Sequence, residues 1–210
     1  VTKIFGCCSS TCGLSPRKRY DYLRSIIPGS QTFTGLLAGT MTHDEGYDFL
    51  GRNLERADMT TRIIDVRSAT LLPDLARDSP PAAEDSQPFE NIQWMSVLKS
   101  LTAYQMYRRT VQVRVRRPDA LRFLLQERRF PRASYHTLCE LESCLENLPH
   151  NEKSLKAVTR VENKVLHARP ESFSQDELHQ FIDQLQLGLA GVHDAIAGTY
   201  FRARHQPGTR

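Results

Sequence analysis

Thr42-His43-Asp44-Glu45 and, a few residues on, Gly51-Arg52-Asn53-Leu54-Glu55-Arg56-Ala57-Asp58 lie on one long amphipathic segment, and the fold class follows from it. Through them run Tyr47, Leu50, Leu54, Ala57, Thr61, Ile64, Ser68 and Leu71, stepping by threes and fours, the spacing of a helix buried along one face. Thr42 with Glu45 three residues later is a capping-box pattern, in which each side chain satisfies an orphan backbone donor of the first turn. The spacing predicts a helix over residues 43–72. Met59, Ile63 and Val66 make a second apolar strip on the far side. The helix is therefore expected to pack on two sides, as the middle helix of a bundle, with Arg52, Glu55, Arg56 and Arg62 along its flanks.

The same periodicity organises the rest of the chain. Ser15-Pro16 reads as an N-cap and first-turn proline, opening a short helix to about Ile27 that Pro28-Gly29 should break. A helix over 30–39 follows. Residues 73–88, with Pro80-Pro81 among acidic and serine residues, read as a linker. Beyond it a helix over 89–110 should bury Trp94, Leu98, Leu101 and Tyr104. Val111 to Arg116 alternates with period two, but a single strand has no partner, so an extended connection or a continued helix is expected. Helices should start at Pro118 and at Pro131, the second with Leu138, Leu141, Leu145 and Leu148 on one stripe. Residues 152–168 turn Leu155, Val158, Val161 and Val165 inward.

Ser174 with Glu177 is a second capping box, followed by a seam of Leu178, Ile182, Leu185, Leu189, Val192 and Ile196. Gly188, Gly191 and Gly198 weaken that helix intrinsically, so their expected use is close approach of a neighbour. The fold class is all-α: an antiparallel multi-helix bundle of about six to eight helices with no real sheet. Residues 1–14 read as irregular and 15–206 as one helical domain.

Composition bounds the function classes. At 40% hydrophobic and 25% charged residues the chain matches an ordinary globular protein. No apolar run approaches the roughly 18 residues of a membrane span, so no membrane is expected, and no export signal is recognisable. Cys7, Cys8, Cys12, Cys139 and Cys144 are odd in number, which reads as reduced thiols in a cytoplasm. The net charge of +4 is mild, although nine arginines lie between Arg108 and Arg132. Nucleic acid is accordingly not expected as a partner.

Four ordered segments resemble one family. They are Phe33 to Gly39, Arg52 to Ala57 continued to Asp65, Trp94 to Leu98 with Tyr107 to Arg109, and Phe123 to Arg132. Together they are similar to the bacterial alpha-E family, all-helical proteins named for a glutamate-arginine motif. The resemblance covers about residues 30–200 and looks like the C-terminal half of such a protein, since the family's second arginine-leucine-glutamate-arginine segment has no counterpart here. Family members are typically encoded beside, or fused to, ATP-grasp-type peptide ligases and transglutaminase-like proteins. The resemblance thus implies an accessory role in a cytoplasmic system that makes or modifies a peptide.

Arg52, Glu55, Arg56, Arg62 and Arg132 are the candidate site. Arg52 precedes Glu55 by three residues, within ion-pair reach on a helix. A carboxylate between guanidiniums stays ionised, which suits a fixed network or an anion grip rather than a general acid. Glu55, between two apolar strips, is expected to be mostly buried and bonded to an arginine. Arg132 should lie near the positive end of the helix opening at Pro131. There it wants Glu55 or Asp58 as a partner, or shares an anion with the helix start.

His136, Cys139 and Cys144 do not close a zinc site on one helix, so neither metal nor cofactor is expected. No glycine-rich phosphate loop, nucleophile elbow or zinc-protease motif occurs in the sequence. Two readings follow. In one, the chain is a non-catalytic interaction module. Its partner is an ATP-grasp-type ligase or a longer alpha-E-like protein, or it forms a homodimer; the candidate interface, for a homodimer or a longer partner, is Met59, Ile63 and Val66. In the other, it is an enzyme of the same pathway, acting on an acidic peptide or acyl phosphate through the arginine-glutamate cleft.

Overall fold

Leu50, Ala57, Thr61 and Ile64, four members of the decisive stripe, are all buried in the computed structural model. The structure describes residues 15–40, 47–70, 87–111 and 114–201. The expected irregular segment 1–14, the Thr42–Glu45 box and nearly all of the linker 73–88 lie outside the described residues. Helix α1 spans Pro16–Thr40 and α2 spans Tyr47–Thr70. Next come α3, Gln87–Ser100, α4, Tyr104–Thr110, and α5, Arg117–Gln126. The last three are α6, Ser134–Glu146, α7, Glu152–Leu166, and α8, Gln175–Ile196. A 3-10 turn, Pro170–Ser172, precedes α8, and a π-helical turn, Ala197–Phe201, follows it. Among the described residues the chain is all-α, with no strand.

Two compact units divide the chain at residue 45. In the first, α1 runs without interruption through Pro28, where a helix end was expected. A proline forfeits one backbone bond and crowds the carbonyl four residues back. Helix-compatible turns on both sides of Pro28 carry α1 through that local cost.

In the second unit α2 packs on α6 and α8, and α7 packs on the same two helices, closing a ring of four. Short connections, 147–151 and 167–174, make α6, α7 and α8 antiparallel neighbours. Helix α5 lies against α3, α6 and α7, while α3 also touches α2 and α4. The α8 seam is buried at all six expected positions, Leu178 through Ile196. At about 1.5–3 kcal/mol for each buried aliphatic side chain, that seam is a main source of cohesion. Both halves of the Ser174 and Glu177 capping box form. Gly188 lets α8 close onto α7, because a Cβ there would stand 2.8 Å from Val161 Cγ2. Gly191 and Gly198 meet no such neighbour, so close approach explains one glycine of the three.

Two helix boundaries differ from expectation. The predicted helix over 89–110 breaks at Thr102, whose φ is 54°. Thr102 N donates to Lys99 O at 3.0 Å and Ala103 N to Leu98 O at 2.7 Å, the paired bonds of a Schellman stop. No glycine announces it, so pattern alone could not place it. Helix α6 begins at Ser134 rather than at Pro131. Ala133 N donates to Phe130 O at 2.9 Å, so Pro131-Arg132 occupies a turn, another position that proline's fixed φ favours.

Polar side chains tie the helix ends. Gln126 Nε2 donates to Val165 O and Ala168 O, both at 2.9 Å, and so satisfies the end of α7. Asn151 Nδ2 does the same for α6 through Leu145 O at 2.8 Å. Arg117, one of the nine clustered arginines, holds the approach to α8 through Phe173 O at 2.8 Å.

Candidate functional site

Arg52 and Arg56 stand one turn apart on α2, and the fold brings Arg132 to them from the turn before α6. Thr60, buried on α2, donates from Oγ1 to Arg132 O at 2.8 Å, pinning that turn to the helix. The Arg132 guanidinium reaches Leu101 O at 3.4 Å through Nη1. Phe130 stacks on Phe123 at 5.1 Å, and Tyr107 meets Phe123 edge-on at 5.5 Å, so the segment carrying Arg132 is anchored in the core.

Like charges meet at Arg56. Burial lowers the pKa of Arg56, and the nearby charges of Arg52 and then Arg132 lower it further. Like charges gathered by the fold create a local positive potential that attracts an anion. Helix α6 starts immediately beyond Arg132, and no side chain caps its first turn. Its free backbone N–H groups and positive dipole end add to the same field.

Of the five sequence-predicted residues, three come together and two do not. Glu55 is exposed and forms no ion pair among the described residues, which corrects the expectation of a buried carboxylate. The reason lies in the second strip. Met59, one turn on from Glu55, is 48% exposed and Val66 is 61% exposed, so that side of α2 faces solvent; Ile63 alone is partly buried. A carboxylate beside it needs no buried partner. Arg62 pairs with Asp58 Oδ2 at 2.7 Å, an i,i+4 contact that holds its charge more firmly and takes it out of the cluster.

Two further polar groups escaped the sequence reading. Asp65 on α2 and His179 on α8 meet at 2.6 Å across 114 residues, with Asp183 beside them. The i,i+4 spacing of His179 and Asp183 was the only local signal. Cys139 Sγ donates to Glu162 Oε1 at 3.3 Å, and Thr159 Oγ1 donates to Glu142 Oε1 at 3.2 Å. Burial raises the Glu162 pKa, the Cys139 contact opposes that, and Glu142 raises it again. His136 donates from Nδ1 to Arg128 O at 2.7 Å, so it is engaged away from the two cysteines.

A family model described as a predicted alpha-helical domain with a conserved ER motif matches residues 8–201. The match starts ahead of residue 30, from about which the resemblance was expected to run. Glu55-Arg56 and Glu127-Arg128 are the chain's two glutamate-arginine pairs. No curated protein and no solved structure matches the chain. With the family model spanning nearly all of it, the chain belongs to the Alpha-E family.

Proposed function

We propose that this protein is a non-catalytic helical accessory module of a cytoplasmic bacterial system that builds or modifies a peptide with an ATP-grasp-type ligase. Its Arg52, Arg56 and Arg132 cluster receives an anionic group, a carboxylate or phosphate of the peptide or its activated form. The observation that carries this reading is the gathering of three guanidiniums from two chain segments, close enough that Arg52 and Arg132 both lower the pKa of the exposed Arg56. Arginine stays protonated in proteins, so such a cluster grips and orients an anion but cannot relay a proton. That favours a binding module over the enzyme reading, although convergence of the arginines is the feature an acidic-peptide or acyl-phosphate enzyme also needs. The exposed Met59 and Val66, with Ile63 between them, are the face for a protein partner or a second copy.

The test is equilibrium binding of a glutamate-rich peptide and of acetyl phosphate, with wild type beside Arg56→Gln and Arg132→Gln. Charged hydrogen bonds contribute about 1.5–3 kcal/mol, so each substitution should weaken binding at least about tenfold. Equal affinity in all three proteins overturns the anion site. Turnover of acetyl phosphate by the chain alone would move the assignment to the enzyme. Co-purification with the ligase, lost in Met59→Asp, tests the partner face.

A further inference from the structure

The contact between α2 and α8 carries a polar group that the anion site does not use. His179 and Asp183 stand one turn apart on α8, and Asp65 faces them from α2. One donor atom from each lies within 4.8 Å of the others. His179 Nδ1 donates to Asp65 Oδ1 at 2.6 Å. This selects the tautomer and leaves a lone pair on Nε2. Nε2 lies 3.8 Å from Asp183 Oδ2.

Two electron-pair donors this close repel unless a hydrogen-bond donor or a cation lies between them. At low pH a proton on Nε2 serves. Where the proton has left, the position suits a metal ion. Zinc bonds to nitrogen and oxygen are roughly 2.0–2.2 Å long, so one ion spans two donors separated by roughly 3–4 Å. A histidine whose other ring nitrogen donates to a carboxylate is the usual arrangement at protein metal sites, where the carboxylate orients the ring and raises its basicity.

We propose that His179 Nε2 and the Asp183 carboxylate ligate a divalent first-row transition ion, with Asp65 as the positioning residue that holds the ring through Nδ1–H. One nitrogen and one carboxylate oxygen, with water completing the shell, suit zinc or cobalt better than a calcium-type cation, which takes oxygen donors alone. The backbone under the site is held by the core: Ile64, Leu178 and Ile182, the residues preceding Asp65, His179 and Asp183, are all fully buried. The donors are thus placed by helix packing rather than by a loop. A bound ion would bridge two successive turns of α8, with α2 contributing through the Asp65 hydrogen bond.

The experiment is calorimetric titration of the full chain with zinc, in a background where Cys7, Cys8 and Cys12 are serine so that those thiols do not compete. Wild type, His179→Gln, Asp183→Asn and Asp65→Asn are compared, with far-UV circular dichroism as the folding control. The ligand substitutions should abolish saturable binding at this site. Asp65→Asn should weaken it by about 10–100-fold, the usual effect of removing an orienting carboxylate. Wild-type affinity should rise between about pH 6 and about pH 8 as the imidazole gives up its proton. Zinc should also raise the thermal midpoint of wild type and not that of His179→Gln. Equal affinity in wild type and His179→Gln, or no saturable binding by wild type, overturns the proposal and leaves a proton-bridged ion pair only.

Discussion

Gly188 on α8 and Val161 on α7 approach so closely that any Cβ at position 188 would lie 2.8 Å from Val161 Cγ2. Val161 is buried and branched at Cβ, so its methyl group cannot simply rotate away. Gly188→Ala should therefore destabilise the fold by about 1–3 kcal/mol through overpacking, even after the gain in helix propensity. Gly191→Ala, where a Cβ meets nothing within 4 Å, should instead stabilise by about 0.5–1 kcal/mol. Urea denaturation of the pair checks the opposite signs.

Thr102 is a β-branched residue at the left-handed position of the stop between α3 and α4. Glycine adopts that conformation without the Cβ clash, which costs roughly 1–2 kcal/mol. Part of the gain is offset by the greater freedom of glycine in the unfolded chain. Thr102→Gly should raise stability by up to about 1 kcal/mol and shift the thermal midpoint upward by about 2–4 °C. A lowered midpoint would show that the exposed threonine contributes more than its strain removes.

Burial, and next the bond to Glu162, push the Cys139 thiol up to about 11. Only the thiolate attacks an alkylating agent, so Cys139 should react with iodoacetamide at pH 8 at least about tenfold more slowly than the same residue in the urea-unfolded chain. Glu162→Gln removes the negative charge and should accelerate labelling. Peptide mapping by mass spectrometry separates Cys139 from the other cysteines.

His179 has its folded pKa raised above the ordinary 6.5, chiefly by Asp65. Because the folded state holds the proton more tightly, this stabilisation is fully present below the unfolded value and is lost as pH rises through the folded one. In buffer containing a chelator, the urea midpoint of wild type should fall on going from pH 6 to pH 9 by more than that of His179→Gln. Parallel curves for the two proteins would remove the assignment.

Much of this molecule was legible in the sequence because helix burial is a local, periodic property. Leu50, Ala57 and Ile64 on α2 and the six-residue seam of α8 announce their buried faces by spacing alone. The Ser174 and Glu177 box announces where α8 starts. Pro28 does not end its helix and Thr102 does, because a helix end depends on the net stability of the turns around it, and one residue type does not report that sum. Glu55 is exposed for a different reason: an apolar strip shows what could be buried, while only a neighbouring element decides whether it is.

The candidate sites divide along the same line. By itself the sequence determined that Arg52 and Arg56 share a helix face and that His179 and Asp183 do, since residues four apart are neighbours on any helix. Tertiary structure alone decided which partners cross to them. Thr60 draws the Arg132 turn onto α2, and the packing of α2 on α8 sets Asp65 against His179 from 114 residues away. Helix periodicity repeats within a few residues and leaves its mark in the chain. Helix-to-helix register arises from the interlocking of whole buried faces, so no single stretch of sequence contains it.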